Sequence, residues 1–382
     1  MSANVPLKIC FSAGESSGEQ HAAHLFLELK TQLPDLIGIG MGGVKMAQAG
    51  ISLCYDSSQI AVIGVVEVLK HYAEIRRTLK RMQQLLLNER PDLLICVDYK
   101  EFNYQLAKFA KRNGIKVLFY VSPQVWAWRK NRVKKFGAVI DMMAVIFPFE
   151  TAYYEAENVP VRYVGHPSVD KVIPTFTKTD ALEKFSLNQN APIIGLVAGS
   201  RTNEIKRLLP VMLAAAERLK LDFPDCQFVL PQADSISDEL IQTYLNHANI
   251  NVTVIKNQPY DVMQCCDAIM TCSGTATLEI ALLGVPMVIC YRLNPLTYQL
   301  GKRLVNIRFI GLPNIVFGES IVPELIQHDA TAANLATEIH RLLTNSEAAQ
   351  NCRADLQIVR EKLGQRGGIQ NMAALVLELL QR

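Results

Sequence analysis

The sequence lacks the residue patterns that mark disulfide-linked, zinc-binding and metal-dependent sugar-nucleotide proteins. Its 382 residues contain nine cysteines, an odd number, with no Cys-x-x-Cys pair and no Asp-x-Asp pair. We expect the cysteines to be small buried hydrophobes in a reducing compartment. Without Asp-x-Asp, the acid pair that often holds a metal on nucleotide-sugar phosphates is missing, so we expect neither a metal nor another cofactor.

Long apolar runs and a large excess of one charge are missing as well. The longest apolar run, residues 280–291, is interrupted by Gly284 and Pro286 and is shorter than the roughly 20 residues that span a bilayer. Lys and Arg number 39 against 36 Asp and Glu, a net charge of +3, which is too balanced for a general nucleic-acid binder. No signal peptide is evident at the N-terminus. These features predict a cytoplasmic protein without an integral membrane span and without a nucleic-acid partner.

Short runs rich in Val and Ile alternate with helix-period segments along the whole chain, which predicts an α/β fold with parallel sheets. The expected strands are residues 7–12, 36–40, 93–98, 115–121, 142–147, 193–198, 227–231, 252–255, 268–271 and 287–291. We therefore predict two doubly wound, Rossmann-like domains facing a cleft. The predicted domains are an N-terminal domain (1–167), a linker (168–191) rich in polar residues, a C-terminal domain (192–352), and C-terminal helices (353–382) that cross back to the first domain or exchange with a partner subunit.

Two glycine-rich segments lie near the start of the chain. Gly14, Glu15 and Ser17 belong to a turn between the first strand and a helix expected from about His21, where backbone N–H groups and hydroxyls become available for binding. A tight turn with Ser17 as helix N-cap is the alternative. Residues 38–43 match Gly-x-Gly-x-x-Gly, but they fall on the second strand, and the nearby acid Asp56 follows no clear strand, so we do not predict a dinucleotide site.

Asp98 ends the very apolar run 93–97. Its carboxylate is expected at the rim of the cleft, where partial desolvation makes a carboxylate a better proton acceptor and a candidate general base. A cap for the helix that starts near Glu101 is the alternative. The residues that follow, 101–103, are candidates for orienting the Asp98 side chain.

In the second half, two strand-to-helix turns suit a nucleotide diphosphate. The first contains Gly199, Ser200, Arg201 and Glu204, before a helix expected from about Ile205; the second contains Ser273, Gly274 and Thr275, with Glu279 one turn into its helix. Glycine allows close approach, helix N-termini and Arg201 favour negative charge, and Glu279 can accept ribose hydroxyls. Arg201 and the helix dipoles would neutralise a leaving group without a metal.

An amphipathic basic helix is predicted near residues 65–81. Its apolar stripe contains Val65, Val68, Leu69, Tyr72 and Ile75, interleaved with basic residues. Such a helix lies in a membrane interface or, more commonly, packs its stripe on the core. The basic run 129–135, next to two tryptophans, is a candidate contact for anionic head groups or an acceptor phosphate.

Taken together, these motifs resemble the lipid-A-disaccharide synthase family, which comprises inverting glycosyltransferases of GT-B fold. The resembling stretches are residues 13–18, 63–69, 121–129, 147–150, 199–204, 273–279 and 312–314, and the run Ser-Pro-Gln-Val-Trp-Ala-Trp at 122–128 is highly specific. Glu19 and the pair Lys100–Glu101 depart from the family pattern. Both departures retain an acid, and neither alters Asp98 or Arg201.

The resemblance implies transfer of 2,3-diacylglucosamine from UDP to the 6-hydroxyl of 2,3-diacylglucosamine 1-phosphate. It assigns Asp98 and Arg201 to catalysis, Asn314 to the UDP side, and Gly14, Glu15 and Ser17 to the acceptor side. Because both substrates carry acyl chains, it also favours peripheral contact of the amphipathic stripe with the cytoplasmic face of the inner membrane. The sequence does not decide whether the protein forms a homodimer. Two other functions are kept as alternatives: a UDP-sugar 2-epimerase of the same fold, and a non-catalytic lipid-binding protein.

Overall fold

A computed structural model describes residues 6–14, 16–57, 65–126, 132–293 and 308–381. The chain divides into two compact units. Unit 1 comprises residues 1–167 together with 365–382, and unit 2 comprises residues 168–364.

Unit 1 is built on a sheet of seven strands in the order β3-β2-β1-β4-β5-β6-β7. The strands are β1 Lys8–Ala13, β2 Ile37–Gly42, β3 Ser52–Asp56, β4 Leu93–Val97, β5 Lys116–Tyr120, β6 Met142–Val145 and β7 Val161–Tyr163. Neighbouring strands are parallel throughout. Every residue of β4 is buried, as expected for a central strand that helices cover on both faces.

The helices of unit 1 pack on both faces of this sheet. They are α1 Ser16–Gln32, α2 Val44–Gln48, α3 Val65–Glu89, α4 Lys100–Arg112, α5 Arg132–Gly137, a 3-10 turn Pro148–Glu150, α6 Thr151–Glu155 and, from the far end of the chain, α16 Gly368–Gln381. One core cluster joins α1, β1 and α16, and the other joins α3, α4 and β5. The short helix α7, Pro167–Lys171, lies where the chain passes from unit 1 to unit 2.

Unit 2 contains a parallel sheet of six strands in the order β10-β9-β8-β11-β12-β13. The strands are β8 Ile193–Val197, β9 Gln227–Gln232, β10 Val252–Lys256, β11 Ala268–Cys272, β12 Met287–Tyr291 and β13 Glu324–Ile326. The helices are α8 Lys178–Lys184, α9 Thr202–Asp222, α10 Asp238–Leu245, α11 Pro259–Met263, α12 Thr275–Leu282, α13 Leu312–Phe317, α14 Ala332–Thr344 and α15 Ser346–Lys362. The predicted α/β fold with two doubly wound parallel sheets is confirmed.

Three short strands were not predicted from the sequence. β7 and β13 have only three residues each, too few to show a period. β3 alternates exposed and partly buried positions at the sheet edge, so it carries no apolar run. Asp56, expected to follow no clear strand, is the last residue of β3.

Residues 168–191 differ from the expected linker. They include most of α7 and all of α8, and they belong to unit 2. The Asp261 carboxylate accepts hydrogen bonds from the backbone N–H groups of Thr175 at 2.7 Å and Phe176 at 2.9 Å. This distant acceptor fixes a stretch whose own polar sequence predicts no structure.

The boundary between unit 2 and the C-terminal segment also differs from the expected position at residue 353. Helix α15 runs across that position and belongs to unit 2. Of the predicted C-terminal segment 353–382, only residues 365–382 belong to unit 1. Apolar residues of this part are buried in the core cluster around β1, among them Met372, Leu375, Val376 and Leu379. The apolar stripe of α16 therefore packs on unit 1 of its own chain.

Two expectations from composition can be compared with the structure. Eight of the nine cysteines are buried, and Cys54 is exposed. Within the described ranges, no helix has the length and apolarity needed to cross a membrane.

Candidate active site

The carboxyl ends of β1 and β4 form the first candidate site. These strands pair directly, although two strands and three helices separate them in sequence, and the strand order continues in opposite directions from them. Such a switch point is where parallel α/β sheets bind ligands. The turn at Gly14 follows β1, and Asp98 follows β4.

Asp98 lies in the left-handed region with φ of +47°. Its backbone N–H donates to the Tyr120 carbonyl at 3.1 Å. Its Oδ1 is buried and has no hydrogen-bond partner among the described residues. The predicted alternative, a cap for the following helix, is wrong, because α4 begins at Lys100 with Tyr99 as N-cap and no side-chain capping bond.

Burial raises the pKa of the Asp98 carboxyl, while Lys100 and the Tyr99 backbone amide act in the opposite direction. A carboxylate with a raised pKa and an oxygen without a partner is suited to accept a proton from a ligand hydroxyl.

Asn103 fixes the backbone that carries Asp98. The Asn103 side chain is fully buried, and its Nδ2 donates to the Asp98 carbonyl at 2.8 Å. Its Oδ1 accepts from the Ser12 hydroxyl at 2.6 Å. One amide thus joins the ends of β1 and β4, and the orienting role expected for residues 101–103 falls to Asn103. Glu101 instead pairs with Arg132 at 2.6 Å.

The turn at Gly14 packs tightly against the residues around Asp98. A Cβ at Gly14 would lie 2.3 Å from Cγ of Tyr99, and one at Gly18 would lie 3.3 Å from the Val97 carbonyl oxygen. Helix α1 begins at Ser16, five residues earlier than expected, so Ser17 is an exposed residue of the first turn and not the N-cap. Glu15 lies outside the described residues.

The carboxyl ends of β8 and β11 form the corresponding switch point of unit 2, because these strands are neighbours there. Helix α9 begins at Thr202, earlier than expected, with Arg201 as N-cap. The Arg201 side chain is 71% exposed and donates to Glu204 Oε1 at 2.9 Å. Glu204 Oε2 accepts from the N–H groups of Ser200 at 3.1 Å and Arg201 at 3.2 Å. Glu204 therefore organises the donors of this turn.

Gly199 makes that arrangement possible. It has φ of +118°, and a Cβ there would lie 2.5 Å from Glu204 Oε2. Any other residue would both strain the backbone and displace the Glu204 carboxylate.

The second turn of unit 2 follows β11. Ser273 donates to the Ile310 carbonyl at 2.8 Å, and Gly274 and Thr275 are exposed at the start of α12. Glu279 Oε1 accepts from the Tyr260 hydroxyl at 3.1 Å and pairs with Lys171 at 3.4 Å. Burial acts to lower the pKa of Lys171, but the Glu279 carboxylate and Tyr260 outweigh it and hold the pKa above its usual value.

Asn314 lies in the interior of unit 2, where it is fully buried. Its Nδ2 donates to the Val322 carbonyl at 2.9 Å and to Glu324 Oε1 at 2.8 Å. Its Oδ1 accepts from the N–H groups of Ile321 at 2.9 Å and Val322 at 3.0 Å. The amide thus makes four hydrogen bonds within the protein, and its role in the structure is to hold the segment before β13.

The sequence analysis gave no role to a buried polar cluster that follows strands β5 and β6. Glu150 is 1% exposed, and Ser122 is 3% exposed. The Ser122 and Tyr154 hydroxyls lie 2.9 Å apart. Glu150 follows an apolar strand closely, which is the same signal that identified Asp98, but the intervening Phe-Pro-Phe obscured it.

The apolar side chains of the amphipathic helix α3 differ in exposure along its length. Tyr72 is 60% exposed, whereas Ile75 and Leu79 pack against a core cluster of unit 1. The side chains of Val65, Val68 and Leu69 lie outside the described residues. For Ile75, packing on the core is the correct alternative.

Part of the basic run 129–135 is engaged in ion pairs. Arg132 pairs with Glu101, and Lys134 pairs with Glu157 at 3.2 Å. Residues 127–131 lie outside the described residues. In the part of the chain that the structure describes, no group of three or more His, Cys, Asp and Glu residues could hold a metal ion.

Comparisons with known proteins identify the family of this chain. The family described as Lipid-A-disaccharide synthetase matches residues 9–378. The Lipid-A-disaccharide synthase of Geobacter sulfurreducens is 49% identical over 380 residues, covering 100% of this chain and 99% of that protein.

Solved structures with 14–15% identity share the fold. MurG of Acinetobacter baumannii has a TM-score of 0.57 and 14% identity, covering 98% of this chain and 100% of that one. A UDP-GlcNAc 2-epimerase of Neisseria meningitidis bound to UDP-GlcNAc has a TM-score of 0.59 and 15% identity, covering 99% and 100%. At such low identity, the epimerase supports the fold and not the activity.

These comparisons confirm the predicted GT-B fold and the predicted family. They also confirm the predicted class of enzyme, which is a hexosyltransferase. With a match over nearly its whole length and close to half of its residues identical to a named member, this chain belongs to the lipid-A-disaccharide synthase family.

Proposed function

We propose that this chain transfers 2,3-diacylglucosamine from its UDP derivative to the 6-hydroxyl of 2,3-diacylglucosamine 1-phosphate. The products are a β-1,6-linked disaccharide 1-phosphate and UDP. Asp98 takes the proton of the acceptor hydroxyl as the oxygen attacks C1 of the donor sugar from the face opposite UDP. One carbon–oxygen bond forms while the bond to UDP breaks, so the configuration at C1 inverts.

The observation that carries this proposal is the state of Asp98. Among the described residues its buried Oδ1 has no hydrogen-bond partner, burial raises its pKa, and its backbone is held by Asn103 and Tyr120. A carboxylate oxygen left without a partner is costly, and a hydroxyl donor from the acceptor supplies the missing hydrogen bond. The exposed Ser17 and the neighbouring Gly14 and Glu15 border the acceptor in this proposal.

The donor nucleotide is assigned to the two turns of unit 2. Arg201 and the N–H groups at the start of α9 and α12 balance the diphosphate charge that grows as UDP leaves. Glu204 holds Arg201 and the first turn in place. Glu279 accepts the ribose hydroxyls through the carboxylate that Tyr260 and Lys171 orient.

The test measures UDP release from acylated UDP-glucosamine with and without the acylated sugar phosphate. We expect acceptor-dependent release by the wild type and a loss of at least about 100-fold in Asp98→Asn, since general-base catalysis contributes about 10²–10⁴. UDP affinity should stay unchanged, because Asp98 does not belong to the nucleotide turns. Release without acceptor, or full turnover by a folded Asp98→Asn, contradicts the proposal.

Peripheral binding to the cytoplasmic face of the inner membrane is also part of the proposal. It is supported by the acyl chains of both substrates and by Tyr72, which is 60% exposed near the start of α3. The half-buried Ile75 is excluded from the proposed surface, which comprises residues 65–72. Apolar residues beside basic ones on such a helix favour an anionic interface.

Vesicle sedimentation with anionic lipid tests this surface. Val68→Ser combined with Tyr72→Ser should release the protein from vesicles while the melting temperature is unchanged. Leu87→Ser is the matched control, because Leu87 is a 44% exposed apolar residue at the other end of the same helix. Equal binding of the double variant and the wild type rules this surface out.

A further inference from the structure

The carboxylate of Glu279 is held through one of its two oxygens. Its Oε1 accepts a hydrogen bond from the Tyr260 hydroxyl at 3.1 Å and lies 3.4 Å from Nζ of Lys171. The other oxygen, Oε2, accepts no hydrogen bond from any described residue. The Glu279 side chain is only 14% exposed, so water reaches the carboxylate only in part. Acceptor capacity is therefore left for the donors of a ligand.

The number of acceptor positions that remain on Glu279 matches a ribose. An ionised carboxylate has about four lone-pair positions for hydrogen bonds, and the contacts with Tyr260 and Lys171 use two of them. A ribose that is esterified at its 5′ oxygen offers two hydroxyl donors, whereas its 2′-deoxy analogue offers one. The deoxy analogue would leave a carboxylate position without a donor in a site largely closed to water, which is unfavourable.

Tyr260 is placed by a helix that is held at several points. It belongs to α11, whose next residue, Asp261, is 3% exposed and accepts the backbone N–H groups at 175 and 176. On the same side, Gln264 Nε2 donates to the Phe176 carbonyl at 2.9 Å. The tyrosine hydroxyl is thus directed at Glu279 from a fixed helix.

Lys171 makes the weaker of the two contacts. Its side chain is 63% exposed, and its Nζ lies 3.4 Å from Oε1, and exposed ion pairs of this kind contribute little. Tyr260 donates over a shorter distance from a half-buried position. Burial and the Glu279 charge raise the pKa of Tyr260, while Lys171 acts to lower it, so the hydroxyl keeps its proton at neutral pH and remains a donor.

We propose that Tyr260 is a positioning residue that makes the Glu279 carboxylate selective for an intact ribose, so that this site takes a ribonucleoside diphosphate and discriminates against the 2′-deoxy analogue. The proposal rests on the assignment of Glu279 to the ribose. Two hydroxyls that bind one carboxylate together require a fixed carboxylate plane, because a rotation that improves one hydrogen bond weakens the other. A single hydroxyl tolerates that rotation. Loss of the Tyr260 hydroxyl therefore weakens binding of a ribose more than binding of a deoxyribose.

Calorimetric titration of the full chain with UDP and with 2′-deoxy-UDP tests this selectivity. We expect the wild type to bind UDP about 10- to 100-fold more tightly, which is the range of one hydrogen bond to a charged group. Tyr260→Phe should lower the affinity for UDP about tenfold and that for 2′-deoxy-UDP less than about threefold. Tyr244→Phe is the matched control, because Tyr244 is a half-buried tyrosine of unit 2 that packs on the apolar core. Both of its affinities should equal those of the wild type.

The ratio of the two affinities distinguishes positioning from a merely structural role. A structural role of Tyr260 would lower both affinities by the same factor, and this result, like an unchanged ratio in Tyr260→Phe, overturns the proposal. Equal binding of both nucleotides by the wild type overturns it without any variant. Phe keeps the aromatic ring at a half-buried position, so we expect Tyr260→Phe to fold with the wild-type melting temperature.

Glu279→Gln separates failure of this proposal from failure of the ribose assignment. If Glu279→Gln reduces the ratio and Tyr260→Phe leaves it unchanged, Glu279 recognises the ribose and Tyr260 does not position it. If Glu279→Gln keeps the wild-type ratio, the ribose assignment itself fails, and the proposal fails with it.

Kinetics of the transfer reaction give a second test that separates KM from kcat. Tyr260 acts on the nucleotide in the ground state and the transition state alike, so Tyr260→Phe should raise the donor KM about tenfold with kcat unchanged. Lys171→Met should raise the donor KM less than about threefold, because its ion pair is exposed. The acceptor KM should stay at the wild-type value in both variants. A fall in kcat at unchanged donor KM in Tyr260→Phe, or a larger effect of Lys171→Met, overturns the proposal.

Discussion

Replacing Glu150 by Gln should change how the stability of the protein depends on pH. The Glu150 pKa rises from 4.5 to about 7 on burial, so the folded state binds this proton more tightly than the unfolded state does. The group's contribution to stability is then complete below pH 4.5 and is lost as pH rises through about 7. A shift of this size corresponds to about 3 kcal/mol, at about 1.4 kcal/mol per pKa unit.

Glu150→Gln removes this dependence. Relative to the wild type, the variant should therefore gain up to about 3 kcal/mol in free energy of unfolding between pH 4.5 and pH 8. Urea denaturation of both proteins at four or five pH values measures the difference, in which the other titrating groups cancel. Glu155→Gln should follow the wild type at every pH. A constant difference between wild type and Glu150→Gln refutes the reasoning.

Three other substitutions test separate parts of the structure. Gly14→Ala places a Cβ 2.3 Å from the Tyr99 ring, so it should destabilise unit 1 by about 1–3 kcal/mol in denaturant unfolding and reduce turnover while UDP affinity is kept. Asp261→Ala removes the acceptor of two backbone N–H groups at 175–176 and should cost about 2–4 kcal/mol in the same measurement; an unchanged midpoint would show that the segment is held by other contacts. Arg201→Ala should leave the melting temperature unchanged, because the side chain is 71% exposed, and should weaken UDP binding about tenfold by calorimetry; equal affinity removes Arg201 from the donor site.

The position of Asp98 was predictable because one acid directly follows a fully apolar strand. The local pattern places that acid at the end of β4, and parallel pairing places it at a switch point. The left-handed conformation of Asp98 and Tyr99 was not predictable in this way. It depends on Tyr120 and Asn103, which lie on other elements, and on Gly14, which leaves room for the Tyr99 ring.

The structural roles of Asn314 and of the segment 168–191 could not be predicted from the sequence. A short family motif names Asn314, but only the fold reveals that its four hydrogen bonds are all made within unit 2. The polar stretch after residue 168 carries no periodic signal, and the acid that orders it, Asp261, is more than 80 residues away. A contact with a residue distant in sequence therefore decides the structure of 168–191, whereas Asn314 is hydrogen-bonded to residues 321, 322 and 324 of the segment that follows it.

The return of helix α16 to unit 1 has a consequence for biosynthesis. The core around β1 includes five buried residues of this last helix, so the unit that is synthesised first lacks part of its interior until α16 has been made. At roughly 5–20 residues per second, translation of the intervening sequence takes about 10–40 s. During that interval the face of α1 and β1 that α16 covers is exposed, whereas unit 2 can complete its own core as soon as residue 364 leaves the ribosome. The order of folding is then the reverse of the order of synthesis, and a nascent chain stalled before residue 368 should display a protected second unit and an incomplete first one.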